Sequence, residues 1–287
     1  MAAVGIVGLG LLGSAVSARL RAAGREVIGH DVVPERNRAL EAIGGRAVAS
    51  VAEVAAAADP ICVVLPSLAA VEEVVLGSRG LAATARGRTV VQMSTISPAL
   101  TERLARECAQ RGVEFLDCPI SGTSGMVARG DGIIFVGGEH AVYERWRPLL
   151  ETILPRAVHV GVAGQAMVLK LVANLLVALH SAAAAEALAM VERAGLDVAQ
   201  ALDLLRASAA TSRMLDVRGP LIAKRDFPPQ MKLDLFMKDL HLIQEAARAL
   251  ETPVPLTDVA ERLYAAAQTA GHGGEDLAVV VTALARR

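Results

Sequence analysis

The chain has 287 residues, of which 53% are hydrophobic and 21% charged, with a net charge of −1. That balance describes one or two folded domains with sizeable cores and excludes a disordered chain. Aromatic residues make up 2% and no basic run stands out, so neither a phosphate-backbone binder nor a stacking platform for single-stranded nucleic acid is expected.

Residues Ala3 to Val7 form a short apolar run with β-branched members and read as a buried strand. No basic segment precedes this run and glycines break the apolar stretch after it, which argues against a signal peptide. Gly8-Leu9-Gly10-Leu11-Leu12-Gly13 comes next, then a helix over Ser14–Ala23, a strand over Glu26–His30, and Asp31. Strand, glycine turn, helix, strand and acid in this order predict a dinucleotide site. The first glycine permits the tight turn, the second lets a pyrophosphate approach the backbone, and the third lets helix and strand pack closely. Asp31 stands where a carboxylate accepts hydrogen bonds from the adenosine ribose. It repels a 2′-phosphate, so NAD is favoured over NADP, while Arg36 and Arg38 keep NADP open.

Short apolar runs then alternate with helical stretches. Pro60–Leu65 ends at Pro66-Ser67, Thr89–Met93 ends at Ser94-Thr95, and Glu114–Asp117 leads into Cys118-Pro119-Ile120-Ser121-Gly122, with Ile133–Val136 beyond it. This alternation predicts a parallel sheet with helical crossovers, whose ligands sit beyond the carboxyl ends of the strands. Gly8–Gly13, Asp31, Leu65-Pro66, Ser94-Thr95 and Ser121-Gly122 all fall at that edge. The three cysteines, Cys62, Cys108 and Cys118, fit neither a disulfide framework nor a zinc motif and point to a reducing cytoplasm. Cys118 reads as a packed thiol rather than a nucleophile. The six histidines lack ligand-like spacing, so no metal is expected.

From Ala157 to Ala185 the chain is almost wholly apolar, with one formal charge, Lys170. An ammonium there loses its hydration and requires a partner or a purpose. Asn174 and Ser181 fall on the Lys170 face of a helix. A membrane span needs about 20 apolar residues, but a central lysine costs about 2.5–3.5 kcal/mol on insertion scales, and no second such segment exists. A lysine snorkelling to the surface remains the plain alternative. Beyond about Gly161 the helices expected are Gln165–Ala194, Val198–Ala207, Lys232–Leu250, Pro255–Ala270 and Asp276–Ala285, with a loop over Thr211–Pro229. In that loop Arg213 and Arg218 are candidates to meet a carboxylate or to face solvent. The expected fold is an α/β Rossmann-type dinucleotide-binding domain over residues 1–162 followed by an all-α domain over 163–287, opened by the helix that carries Lys170.

Four blocks in order carry a resemblance over essentially the whole chain: Gly8-Leu9-Gly10-Leu11-Leu12-Gly13, Asp117-Cys118-Pro119-Ile120-Ser121-Gly122, Gly164-Gln165 with Lys170 and Asn174, and Phe236-Met237-Lys238-Asp239-Leu240. The chain resembles the β-hydroxyacid dehydrogenases, the group of 3-hydroxyisobutyrate dehydrogenase and tartronate semialdehyde reductase. The resemblance implies an all-helical second domain like that of 6-phosphogluconate dehydrogenase. It implies Lys170 as general acid and base, and Ser121, Gly122 and Asn174 as substrate residues. Leu65, Pro66 and Thr95 would line the cofactor site, and Lys238 would reach nicotinamide and substrate. Thr123 departs from the pattern, which commonly has a second glycine there, and adds bulk and a hydroxyl to the substrate loop.

The chemistry agrees with this reading. Hydride transfer to a carbonyl leaves an alkoxide that needs a proton, and an amine within hydrogen-bond reach supplies it. The expected substrate is a small β-hydroxy acid or its semialdehyde, with NAD as cofactor and NADP possible. Two other readings stay open: reduction of C=N bonds on the same architecture, which Lys170 speaks against, and a non-catalytic NAD-binding sensor. The apolar helical half suggests a homodimer or homotetramer, with no nucleic acid or membrane partner.

Overall fold

A computed structural model of the chain describes residues 2–284. Met1 and residues 285–287, which hold the outer ends of both expected domains and the last residue of the final expected helix, lie outside the described residues. The chain forms two compact units, Met1–Lys170 and Leu171–Arg287.

The first unit is built on one sheet. Its strands are β1 (Ala3–Val7), β2 (Val27–His30), β3 (Arg46–Ala47), β4 (Ala58–Val63), β5 (Thr89–Gln92), β6 (Glu114–Asp117), β7 (Ile120–Ser121), β8 (Ile133–Gly138) and β9 (Ala157–Gly161). They lie in the order β3-β2-β1-β4-β5-β6-β8-β7, with β9 paired to β8. Pairing is parallel from β3 through β6, β8 runs antiparallel to β6 and β7, and β9 is parallel to β8. The chain builds outward from β1 in one direction and from β4 in the other. Loops leaving β1 and β4 therefore diverge and open a crevice at the carboxyl edge.

Between the strands run α1 (Leu11–Ala22), α2 (Pro34–Ala42), α3 (Val51–Ala57), α4 (Leu68–Leu76), α5 (Leu81–Thr84), α6 (Pro98–Gln110), α7 (Ser124–Ala128) and α8 (His140–Ile153). Alternate residues of each strand enter opposite cores. Val4, Ile6, Val27, Cys62 and Val91 join one cluster, while Ala3, Val7, Ile28, Ile61 and Val90 join the other. Burial on both faces explains why these strands read as unbroken apolar runs.

The apolar run from Ala157 to Ala185 is not one helix. Its first part, with β-branched Val158 and Val160, is strand β9 in register with β8. Gly161 and Gly164, at φ of 141° and 97°, turn the chain into α9 (Gln165–Arg193). Few residues other than glycine adopt such angles.

The second unit continues α9 and adds α10 (Val198–Arg206), α11 (Arg213–Lys224), α12 (Leu233–Ala249), α13 (Pro255–Ala267), a wide turn over Gln268–His272 and a 3₁₀ helix over Leu277–Leu284. The segment expected to be a loop over Thr211–Pro229 is largely the helix α11. Ser212 caps it by accepting the Leu215 N–H at 3.1 Å. Gly219, part of the apparent breaker, packs so close to Leu202 that a Cβ would lie 2.5 Å from its Cδ1. Tertiary packing here overrides the breaker signal of Gly219-Pro220. Arg218 does not face solvent. It is buried with its Nε 3.2 Å from Asp276 Oδ1, and Asp276 also accepts the N–H groups of Gln230, Met231 and Ala278. That pair fixes α11 to the start of the last 3₁₀ helix.

Candidate active site

The glycine turn between β1 and α1 separates into two kinds of position. Gly8 has a φ of 96°, and a Cβ there would sit 2.1 Å from the Val64 carbonyl oxygen. A Cβ on Gly13 would sit 2.0 Å from the Gly8 carbonyl oxygen. Both glycines are demanded by the protein's own backbone. Gly10 is different: it is the N-cap of α1 with φ −66°, an angle open to any residue, and a Cβ there meets nothing within 4 Å. Among the described residues no protein atom requires glycine at this position; an anion resting on the first N–H groups of α1 would. Leu11 at the first helical position is exposed, Leu12 is half-buried and Leu9 is buried.

Asp31, at the end of β2, closes this turn. Its Oδ2 accepts the Leu9 N–H at 2.7 Å and its Oδ1 accepts the Val33 N–H at 2.9 Å. Arg36 approaches the same carboxylate at 3.2 Å. Of the two arginines that kept NADP open, Arg36 is thus paired with Asp31, and Arg38 pairs with Glu35 on the exposed side of α2. Asp31 has a second task that its ribose reading does not include, which is to pin the glycine turn to β2.

The next two strand-end loops are tied together by buried polar groups. Ser94 Oγ accepts the Leu65 N–H at 2.8 Å and donates to the Val63 carbonyl. Gln92, inside the apolar run of β5, clamps Ser94 through both ends of its amide, donating to Ser94 O and accepting from Ser94 N. These bonds hold half-buried Leu65, exposed Pro66 and half-buried Thr95 at the carboxyl edge. An amide in the middle of TVVQM was the readable signal for this clamp.

Ser121 ends β7, and Gly122 and Thr123 come next; all three are partly exposed. A Cβ on Gly122 would meet only ordinary contacts, none nearer than 3.4 Å, and its φ is not positive. As with Gly10, the protein itself does not demand glycine there. Thr123 is the N-cap of α7, its Oγ1 accepting the Met126 N–H at 3.3 Å, so the added hydroxyl serves the helix it precedes. Asp117, at the end of β6, is fully buried. Its Oδ2 accepts the N–H groups of Gly164 at 3.1 Å and Met167 at 2.9 Å, and its Oδ1 has no hydrogen-bond partner among the described residues. Burial pushes this carboxyl up to about 7, against the lowering effect of the two N–H donors. Cys118 beside it is a buried free thiol that burial holds well above its ordinary value, as a packing group rather than a nucleophile.

Helix α9 is inverted in its polarity. Lys170 and Asn174, one turn apart, are only 6% and 4% exposed. On its other side Leu169, Val172 and Leu176 are 38%, 48% and 47% exposed. Ser181, placed on the same face from spacing, spends its hydroxyl on the Val177 carbonyl of its own helix at 2.7 Å. In the second unit Asn174 Nδ2 donates to Asp239 Oδ2 at 2.8 Å, and Lys238 Nζ lies 3.4 Å from Asp239 Oδ1. The buried Asp239 on α12 therefore orients both Asn174 and Lys238, a role that sequence alone did not reveal.

Comparison with known proteins shows the family to which the chain belongs. The family profile of the NAD binding domain of 6-phosphogluconate dehydrogenase matches residues 3–161. That of the NAD-binding region of NADP-dependent 3-hydroxyisobutyrate dehydrogenase matches residues 163–284. The L-threonate dehydrogenase of Cupriavidus necator is 34% identical, over 97% of this chain and 94% of its own. The 2-hydroxy-3-oxopropionate reductase of Escherichia coli is also 34% identical, over 98% and 96%. The crystal structure of 3-hydroxyisobutyrate dehydrogenase from Salmonella typhimurium superposes with a TM-score of 0.89 at 31% identity, covering 98% of this chain and 99% of that one. An imine reductase from Myxococcus stipitatus, at 18% identity and a TM-score of 0.67, covers 99% of this chain and 100% of its own and shares the fold alone. On its glycine turn, its doubly wound sheet, its helical second unit and these relatives, the chain belongs to the β-hydroxyacid dehydrogenase family and is an NAD(P)-dependent oxidoreductase acting on CH–OH groups.

Proposed function

We propose that this enzyme interconverts a small β-hydroxy acid and its semialdehyde, with Lys170 moving the proton. The observation that carries the reading is Lys170 itself, an amine buried on α9 one turn before Asn174 while apolar side chains of the same helix stay exposed. Bound NAD(P) supplies or accepts the hydride at the carbon that bears the oxygen. Lys170 then gives its proton to the alkoxide during reduction and, as the neutral amine, takes it from the hydroxyl during oxidation. Ser121 and Gly122 hold the substrate carboxylate, Thr123 shapes that loop, and Asn174 with Lys238 orients the substrate. Gly8 through Gly13, Asp31, Leu65, Pro66 and Thr95 would hold the cofactor, and Lys238 would serve its nicotinamide end. A panel of L-threonate, 3-hydroxyisobutyrate, 2-hydroxy-3-oxopropionate and cyclic imines, each with NAD and NADP cofactors and read by reduced-nicotinamide absorbance, tests this. Turnover confined to the imines would defeat it.

NAD is the preferred cofactor in this reading. A 2′-phosphate would meet the Asp31 carboxylate, and Arg36 is already paired with that carboxylate. Asp31→Ala is expected to lose the preference for NAD. It should also lower the melting temperature, because the buried Leu9 N–H loses its acceptor, at a cost of about 1–3 kcal/mol. Measuring kcat/KM with both cofactors beside a thermal melt checks this, and a wild type faster with NADPH than with NADH would contradict it.

The exposed Leu169, Val172, Leu176 and Met190 on α9 support a homodimer or homotetramer, since a monomer would leave this apolar strip in water. Light scattering is expected to give at least twice the monomer mass of 29.8 kDa, and a monomer mass would overturn the assembly. Three free, buried cysteines support a cytoplasmic location.

A further inference from the structure

We propose that Asp117 is a positioning residue for Lys170, acting as the N-terminal cap of α9 from across the sheet. This rests on the reading of Lys170 as the proton-transfer group. A helix leaves its first N–H groups without intrahelical acceptors, and a short polar side chain just before the helix ordinarily supplies one. Here the chain enters α9 through Gly161, Val162, Ala163 and Gly164, none of which has such a side chain. Gln165 reaches back to the Val162 N–H at 3.1 Å. The acceptor for the helix start is Asp117 Oδ2, which takes the N–H of Gly164 and, a turn inside, that of Met167. The partners are 47 and 50 positions away in sequence. This is a tertiary cap, and it sits where a buried carboxylate is costly unless something offsets it. The positive end of the helix dipole and two N–H donors offset part of that cost.

Two features make this cap a device for the site rather than a general stabiliser. Lys170 comes three residues after Met167, so the turn that Asp117 holds carries the amine directly. From Asp117 the chain also runs through Cys118, Pro119 and Ile120 to Ser121 and Gly122, the loop proposed to hold the substrate carboxylate. One carboxylate thus fixes the end of β6, from which the carboxylate-binding loop departs, to the first turn of the helix that carries the amine. Misplacement of a catalytic group by about 1 Å costs about a hundredfold in rate. A frayed first turn would produce a shift of that size.

The test compares D117N, which keeps an acceptor oxygen, with D117L, which keeps the branched, four-heavy-atom side chain and removes the acceptor. D117N is expected to keep kcat within about threefold of wild type, while D117L loses at least about thirtyfold in kcat, with the Kd for NAD unchanged within about threefold, by the misplacement argument. In a K170A background D117L should cost little further, since groups that act as a unit are not additive. Hydrogen exchange supplies a readout apart from activity. In wild type the Gly164 and Met167 amides should exchange as slowly as those in the middle of α9, which needs no variant. Fast exchange at these amides overturns the cap. Equal kcat losses in D117N and D117L, or an undiminished D117L effect in the K170A background, overturn the positioning role. If K170A itself turns over normally while these amides are protected, the cap stands and the reading of Lys170 fails instead.

Discussion

Lys170→Ala is expected to lower kcat by about a hundred- to ten-thousand-fold, the usual worth of a positioned general acid or base, while NAD still binds. The physical reason lies in where the amine sits. Lys170 is buried on α9, where bulk water does not readily take over the proton transfer. The variant should remain folded, because removing a charged group from a buried site relieves desolvation as well as deleting contacts. Lys170→Met, closer in volume, is therefore expected to melt at or above the wild-type temperature and yet be as inactive as the alanine variant. Lys170→Arg separates charge from proton transfer. It keeps the cation, but a guanidinium does not give up its proton near neutral pH, so oxidation of the hydroxy acid should stay lost. Single-turnover measurements with saturating NAD would read the chemical step directly. Turnover of K170A within a few-fold of wild type would remove the lysine from the mechanism.

The part of the fold legible in the sequence is the local part. β1, the glycine turn, α1, β2 and Asp31 are contiguous, and each residue's job can be read from its immediate neighbours. The strand ends carrying Leu65, Thr95 and Ser121 are likewise marked by runs of apolar residues ending in turn formers. Lys170 stood out because it is the one formal charge between Ala157 and Ala185. The misreadings arise where packing outweighs local signal. The helix expected over Gln165–Ala194 is α9, but β9 does not read as a strand, because an apolar run alone does not distinguish a buried strand from a buried helix. α11 reads as a loop in the sequence, because Gly219-Pro220 is a breaker signal, and the packing of Gly219 against Leu202 overrides it. The bonds between distant positions are not legible in the sequence at all. Asp117 with Met167, and Asp239 with Asn174, join positions 50 and 65 residues apart, and no periodicity links them. Thr123 is an intermediate case: its difference from the family pattern was visible, but its bond to the Met126 N–H was not.

The second large effect is expected at Gly10. Valine there should weaken NAD binding by at least about a hundredfold, equal to about 2.7 kcal/mol, with the fold and melting temperature nearly unchanged. Both halves of that statement rest on the same geometry. Gly10 has a φ that any residue adopts, and a Cβ built on it meets nothing within 4 Å, so the free protein tolerates a side chain. The open space lies at the N-terminus of α1, where unpaired N–H groups and the helix dipole favour a phosphate. A β-branched side chain there would fill the place expected for a pyrophosphate without disturbing a protein contact. Gly13 supplies the contrasting case. A Cβ there would lie 2.0 Å from the Gly8 carbonyl oxygen, so Gly13→Ala should lower the melting temperature first and lose binding only as a consequence. Calorimetric titration with NAD, run beside thermal melts of the two variants, separates these outcomes. A Gly10→Val protein that binds NAD normally would mean that the pyrophosphate does not rest on this turn. One that melts like Gly13→Ala would mean that the protein, and not the cofactor, is what requires glycine at position 10.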